Sequence, residues 1–181
     1  MTNAPDDTLQ SLADKQALLE LVLTYCRAID RRDYALLLSL YHEDAVEERG
    51  AIFSGTAREF VAWVQKDSVN YAATMHRLSN TLFTVHGDTA EGEHYAEAYH
   101  RTLGDTPMEV TAAGRYLDRY ERRDGRWAIA YRTSTLDRCD MRPVNSEAYS
   151  QFVAGSVVGQ PGADDLSYQV LSTFNRHPAA G

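Results

Sequence analysis

Most features that mark specialised chemistry are missing from this sequence. Only two cysteines occur in 181 residues, and Cys26 and Cys139 form no metal-binding or redox spacing. Basic residues are in deficit, 18 Lys and Arg against 26 Asp and Glu, for a formal charge of −8. No face rich in Lys and Arg is available to neutralise phosphates, so nucleic acid is not an expected partner. No apolar run approaches the roughly 20 residues needed to cross a bilayer, and no membrane association is expected. The first residues, from Met1 to Asp7, are polar and acidic, unlike a signal peptide. A cytoplasmic, reducing location is therefore the expectation. Gly-x-Gly-x-x-Gly, P-loop, Gly-x-Ser-x-Gly, His-x-His and His-Glu-x-x-His patterns are all absent. Nucleotide-dependent, serine-hydrolase and metal chemistry thus lack a motif, and neither a cofactor nor a metal is expected.

What is present describes one domain, with 44% hydrophobic residues and enough chain to bury a substantial core. The N-terminal third reads as helical. Residues 1–10 are expected to be flexible, and a first helix is predicted over 15–30, capped by Asp14 or Ser11. A second is predicted over 34–41 behind Asp33 as N-cap. Short strands are predicted over 45–48 and 51–54, and a third helix over 57–66 behind Thr56. After Met75 the hydrophobic period switches from 3.6 to 2. Strands are predicted over 76–85, 89–102, 108–122 and 126–136, with turns at His86-Gly87-Asp88 and Arg123-Asp124-Gly125. Gly92 and Gly114 lie inside these strands and are candidate bulge or bend positions. The fold class is α+β: a curved, mostly antiparallel sheet packed by three N-terminal helices into a cone, with an open end suited to a small molecule. Residues 11–138 form this domain. Residues 139–181 read as an extension, with a short helix over 146–153, that covers the pocket or meets another subunit.

Two polar residues interrupt the apolar arc of the first helix. At 100° per residue, Leu18, Leu19, Leu21, Val22, Leu23, Cys26 and Ile29 fall on one side, and Gln16, Glu20, Thr24, Arg27 and Arg31 on the other. Tyr25 and Asp30 fall within the apolar side. A carboxylate facing a core without a partner costs about 1–3 kcal/mol, and the helix C-terminus adds to that cost. Its partner could be Arg31 or Arg32, or it could cap the next helix. The best candidate is His76, placed at the start of a long strand. A carboxylate fixes the imidazole tautomer through one ring nitrogen and leaves the other free as a base. Arg132 is a candidate cation, although alternation with Trp127, Ile129 and Tyr131 points it away from the core unless a bulge intervenes. His94 and His100 share a strand face but lie about 20 Å apart at strand rise, too far to share a metal. His42, His86 and His177 read as surface residues.

The segments Leu23-Thr24-Tyr25-Cys26-Arg27-Ala28-Ile29-Asp30-Arg31-Arg32-Asp33-Tyr34, Leu40-Tyr41-His42-Glu43-Asp44-Ala45, Met75-His76-Arg77-Leu78-Ser79-Asn80 and Tyr120-Glu121-Arg122-Arg123-Asp124-Gly125-Arg126-Trp127 occur in that order. Together they resemble the SnoaL-like family of the nuclear transport factor two-like superfamily, over about residues 12–136. Within it the pattern is similar to cofactor-independent lyases: bile acid 7α-dehydratase, scytalone dehydratase and hexachlorocyclohexane dehydrochlorinase. The resemblance implies Asp30 and His76 as an acid–base pair and Tyr25 as the acid of the bile acid enzyme. The dehydrochlorinase has a lysine at the Tyr25 position, which argues against dehalogenation here, and its catalytic arginine falls on Arg132. Tyr41 matches a second active-site tyrosine of scytalone dehydratase. A homotrimer is implied as well.

The expected function is elimination of water, or a related lyase step, on a hydrophobic, carbonyl-containing substrate of steroid-like or polycyclic shape. His76 would act as base, Asp30 would orient it, Tyr25 would be the acid and Arg132 an assisting cation. Tyr41, Phe53, Phe60, Trp63, Tyr95 and Tyr116 are candidate pocket walls. Two alternatives stand beside this reading: a polyketide-cyclase-like or isomerase enzyme, and a non-catalytic small-molecule binder or scaffold.

Overall fold

The alternating half of the sequence builds the frame on which the rest is hung. In the computed structural model, which describes residues 5–172, four long strands form successive antiparallel pairs. They are β3 (Tyr71–His86), β4 (Thr89–Thr102), β5 (Met108–Arg123) and β6 (Arg126–Pro143). Two short strands, β1 (Tyr41–Glu48) and β2 (Ser54–Thr56), extend the sheet in the order β2-β1-β6-β5-β4-β3, with β1 parallel to β6. The sheet curves without closing, and the helices α1 (Pro5–Asp30), α2 (Tyr34–Ser39) and α3 (Ala57–Asp67) fill its concave side. No described helix is long and apolar enough to cross a membrane.

Several boundaries differ from the sequence expectation. The first helix starts at Pro5 and takes in residues 5–10 of the segment expected to be flexible. Asp14 is therefore no cap. It is buried inside the helix and accepts bonds from Trp127 Nε1 (2.9 Å) and Arg122 Nη1 (2.6 Å). Leu23 is exposed, so the apolar arc is narrower than its composition implied. Helix α2 stops two residues early because Tyr41 is taken into β1. The strand expected over 51–54 forms instead as β2, shifted toward Thr56. Strand β3 begins at Tyr71, which puts His76 inside the strand, paired with Ala98, rather than at its start. The other two expected caps are present: Asp33 accepts from Leu36 N, and Thr56 forms a capping box with Glu59.

Curvature comes from irregularities in the ladders. Asn80 adopts φ 21° at a register shift between β3 and β4. The β5–β6 ladder shifts twice, leaving Ala130 and Asp137 without opposite partners. Each such bulge adds a residue to one strand and bends it. Gly114 sits at the second shift, where a Cβ would lie 2.0 Å from the Thr135 carbonyl oxygen.

Beyond β6, α4 (Ser146–Val153) has the bounds expected from the sequence, and Tyr149 stacks on Arg101. A final turn, α5 (Leu166–Val170), brings the extension back to the end of α1. Asp165 pairs with Arg31 at 2.6 Å, the Gly162 N–H donates to the Arg31 carbonyl at 2.7 Å, and Tyr168 packs under Arg27. His177 lies outside the described residues.

Gly114→Ala would drive a methyl group into backbone that cannot swing aside. The expected outcome is a loss of about 2 kcal/mol or more, because strand separation is the only relief. Chemical denaturation should show this, while Ala113→Gly beside it should cost less.

Candidate active site

Asp30 is the last residue of α1, and the chain turns immediately after it. The Arg32 N–H donates to the Ile29 carbonyl (3.1 Å) and the Asp33 N–H to the Ala28 carbonyl (2.9 Å), with Arg32 at φ 54°. This is a Schellman ending with arginine in the left-handed position usually given to glycine. Arg32 Nη2 also donates to the Tyr71 carbonyl at 2.7 Å, tying the turn to the start of β3. The end of α1 and the strand that carries His76 are thereby held together.

The expected partnership forms. The His76 backbone N–H donates to Asp30 Oδ2 at 2.8 Å, and the ring Nδ1 lies 2.7 Å from Oδ1. A carboxylate only accepts, so Nδ1 carries the proton and Nε2 has its lone pair free. Nε2 has no hydrogen-bond partner among the described residues. The His76 side chain is 9% exposed, so the pair sits at a rim rather than sealed in the core. His100 meets the His76 ring edge-on, with centroids 5.5 Å apart, and also packs on Tyr71. Burial, and then the neighbouring His76, push the His100 imidazole down to about 4.

Tyr25 lies deeper, at 0% exposure. Its hydroxyl accepts from Arg49 Nη2 at 2.9 Å, and its ring carries the Arg132 guanidinium 4.0 Å above the centroid. Burial raises the phenol well above its ordinary range. Tyr41 and Tyr116 both approach the Tyr25 ring edge-on. Cys26 is the next residue on α1, and its thiol, pushed up to about 12 by burial, feels both Asp30 and Arg132.

Arg132 points inward, contrary to strict alternation. The unpaired Ala130 shifts parity by one, so Arg132 follows Ile129 into the core and Tyr131 faces outward. Arg132 is 0% exposed and bidentate to Asp118, with Nε to Oδ1 at 2.7 Å and Nη2 to Oδ2 at 2.6 Å. Burial alone would raise the Asp118 carboxyl, but Arg132 overrides it and holds the group at about 2. Tyr120 also donates to Asp118, and His94 Nε2 lies 2.7 Å from the Tyr120 hydroxyl. Arg132 Nη1 and His94 Nδ1 are buried without a hydrogen-bond partner among the described residues.

The expected pocket walls divide. Tyr41, Phe60 and Tyr116 are buried in the core, and Phe53 and Trp63 pack on Phe60. Tyr95 does not belong with them. It is 44% exposed and lies on the opposite sheet face, paired with Ser79 and Arg115. His42, read as a surface residue, is buried with Nε2 on the Glu121 carbonyl. Cavities of about 360 and 390 Å³ lie on the outer sheet face around Glu91, Arg119 and Tyr131, and include neither Asp30, His76, Tyr25 nor Arg132. Among the described residues, no group of three His, Cys, Asp or Glu side chains is arranged to hold a metal ion.

Sequence reasoning missed Asp118, Glu47, Arg49 and His100. Asp118 alternates with the core residues Tyr116 and Tyr120, so the parity argument that singled out Asp30 would have found it. Glu47 likewise shares parity with Ala45. Arg49 carries no such signal. It follows β1 in a turn where its N–H bonds the Phe53 carbonyl and Gly50 takes φ 57°.

A curved, unclosed, mostly antiparallel sheet wrapped around helices is the architecture of the cone-shaped nuclear transport factor two-like fold. Within it this chain belongs to the SnoaL-like family, whose domain profile matches residues 10–133. Among solved structures it resembles a candidate scytalone dehydratase from Novosphingobium aromaticivorans (TM-score 0.68, 21% identity, 74% of this chain and 90% of that one). It also resembles a type-3 hexachlorocyclohexane dehydrochlorinase from Novosphingobium barchaimii (TM-score 0.65, 22% identity, 76% and 94%). A Mycobacterium tuberculosis protein of unknown function matches at TM-score 0.63 and 21% identity, covering 94% of this chain and 89% of that one. No curated protein matches the chain in sequence. At these identities the likeness is one of fold, and that fold hosts dehydratases and dehydrochlorinases.

Breaking the buried ion pair from one side leaves a stranded charge. Arg132→Met or Asp118→Leu alone should cost about 3–5 kcal/mol, and the double variant much less than their sum. Denaturant melts of the three proteins check this. A second expectation concerns His100, whose folded-state pKa lies below its unfolded value near 6.5. The unfolded chain therefore binds the extra proton first. The His100 contribution to stability is full above pH 6.5 and is lost as pH falls toward 4. Melts across this window should show a smaller pH slope in His100→Gln.

Proposed function

We propose that this protein is a cofactor-independent lyase that removes water from a hydrophobic substrate carrying a ketone and a β-hydroxyl, on a steroid-like or polycyclic frame. The observation that supports this best is the Asp30–His76 pair, with Nδ1 engaged at 2.7 Å and Nε2 unengaged at the rim of the cone. His76 Nε2 takes the proton from the carbon beside the carbonyl, and Asp30 stabilises the imidazolium that forms. Tyr25 donates a hydrogen bond to the carbonyl oxygen as negative charge grows there. The electrons then form the carbon–carbon double bond, and the β C–O bond breaks. The departing hydroxide takes the proton back from His76 and leaves as water. Arg132 is already committed to Asp118 through two nitrogens, so its part is to hold the Tyr25 ring in place rather than to move a proton. The working form is a homo-oligomer, a trimer by family resemblance.

The test uses a panel of aromatic and alicyclic β-hydroxy ketones, with enone formation followed by ultraviolet absorbance. His76→Ala should lower turnover by about 10²–10⁴-fold, and Asp30→Asn and Tyr25→Phe should each lower it with the fold intact. Exchange of the α-proton with deuterated solvent, without loss of water, would instead favour an isomerase. An unchanged rate in His76→Ala would remove the acid–base mechanism.

A further inference from the structure

A second buried polar cluster lies beside the acid–base pair, and its wiring fixes the direction in which Tyr25 can act. Arg49 Nη2 donates to Glu47 Oε1 at 2.6 Å and to the Tyr25 hydroxyl at 2.9 Å. The Tyr41 hydroxyl donates to the other Glu47 oxygen at 2.8 Å. Glu47 is 0% exposed, so both of its oxygens are engaged inside the protein. The Tyr25 oxygen thus has a cationic N–H on its acceptor side, while its own proton has no acceptor among the described residues. A hydroxyl that accepts from a cation becomes the stronger donor, because its electron density is drawn away from the O–H bond.

We propose that Arg49, held by Glu47 and Tyr41, is a positioning residue that sets the polarity of the Tyr25 hydroxyl, so that Tyr25 meets the substrate as a donor and the atom it meets is an oxygen acceptor such as a ketone carbonyl. The inference rests on the lyase reading and adds Arg49 as the group that directs the Tyr25 hydroxyl toward the substrate oxygen. Glu47 keeps Arg49 in place, and Arg49 in turn keeps Glu47 from competing for the phenolic proton. Cation stacking on the rings of Phe60 (4.8 Å) and Tyr116 (5.6 Å) aligns the guanidinium further. The charged and titratable groups around the hydroxyl are Arg49, Glu47, Tyr116 and Arg132, with Tyr41 beside the ring. Removal of Arg49 should therefore make the phenol less acidic, and Arg132 alone should not compensate, because Asp118 already neutralises it.

The test needs no natural substrate. A trifluorinated tyrosine at position 25 brings the phenol into an accessible range, and fluorine resonance reports its titration in the full chain. Arg49→Lys should keep it near the parent value, and Arg49→Met should move it up by about one pH unit or more. If Arg49→Met fails to fold because Glu47 is stranded, the double variant Glu47→Gln with Arg49→Met is compared with Glu47→Gln alone, and the upward shift is expected between those two, since Glu47 itself raises the phenol. An unchanged titration in the folded variant overturns the role of Arg49, whatever His76→Ala does to dehydration. The solvatochromic naphthyl ketone prodan tests the acceptor. Its bound emission should be red-shifted in the parent, and that shift should be lost in Tyr25→Phe and reduced in Arg49→Met. Failure of prodan to bind, or the same emission in Tyr25→Phe, overturns the carbonyl assignment while leaving the base role of His76 to the β-hydroxy ketone assay.

Discussion

Arg132 carries a full charge into the middle of the cone, and the interior is arranged around keeping that charge paired. A buried guanidinium is tolerated when its nitrogens find a carboxylate and its faces find rings, because desolvation otherwise costs several kcal/mol. Asp118 supplies the carboxylate from the neighbouring strand, and Tyr25 and Tyr116 supply the faces. This pair fixes the β5–β6 register around Asp118 and orients Tyr25. It also requires the bulge at Ala130, without which Arg132 would point to solvent. Glu47 and Arg49 repeat the solution one layer away. The concave face is therefore a set of neutralised pairs inside an aromatic shell, and the polar groups of the site are held by partners rather than by packing alone.

The Asp30–His76 pair differs in kind. It lies at the rim, where α1 ends, and the imidazole keeps one nitrogen unengaged. Arg32 holds this arrangement by accepting a left-handed backbone and bonding the first residue of β3. The C-terminal extension reinforces the same corner. Its last turn contacts Arg27, Arg31 and Asp33, behind the end of α1, while Tyr149 of α4 packs on Arg101 of β4. It thus braces the helix that carries Asp30.

Much of this was legible before any coordinates. The change of hydrophobic period at the start of the sheet, the caps at Asp33 and Thr56, and the Asp124-Gly125 hairpin follow from local steric and hydrogen-bonding preferences. Asp30 was conspicuous because a carboxylate on an apolar arc needs a donor, and His76 was the candidate in the right element. The misreadings share one origin. Asp14, His42 and Arg132 looked like a cap, a surface residue and an outward residue, yet each is buried through a partner distant in sequence. Tyr95 failed for the opposite reason, since aromatic character alone does not say which sheet face a residue takes.

The sequence by itself determined the elements, their order and the pairing demand at Asp30, because these depend on interactions within a few residues or on a periodicity that a single helix or strand displays. Tertiary structure alone decided the placement of Arg132, Asp118, Glu47 and Arg49. A one-residue bulge inverts the face of everything after it, and a turn aims a side chain by backbone angles that composition does not encode. Where buried charges meet is a property of the assembled sheet, and so is the polarity of the tyrosine they surround.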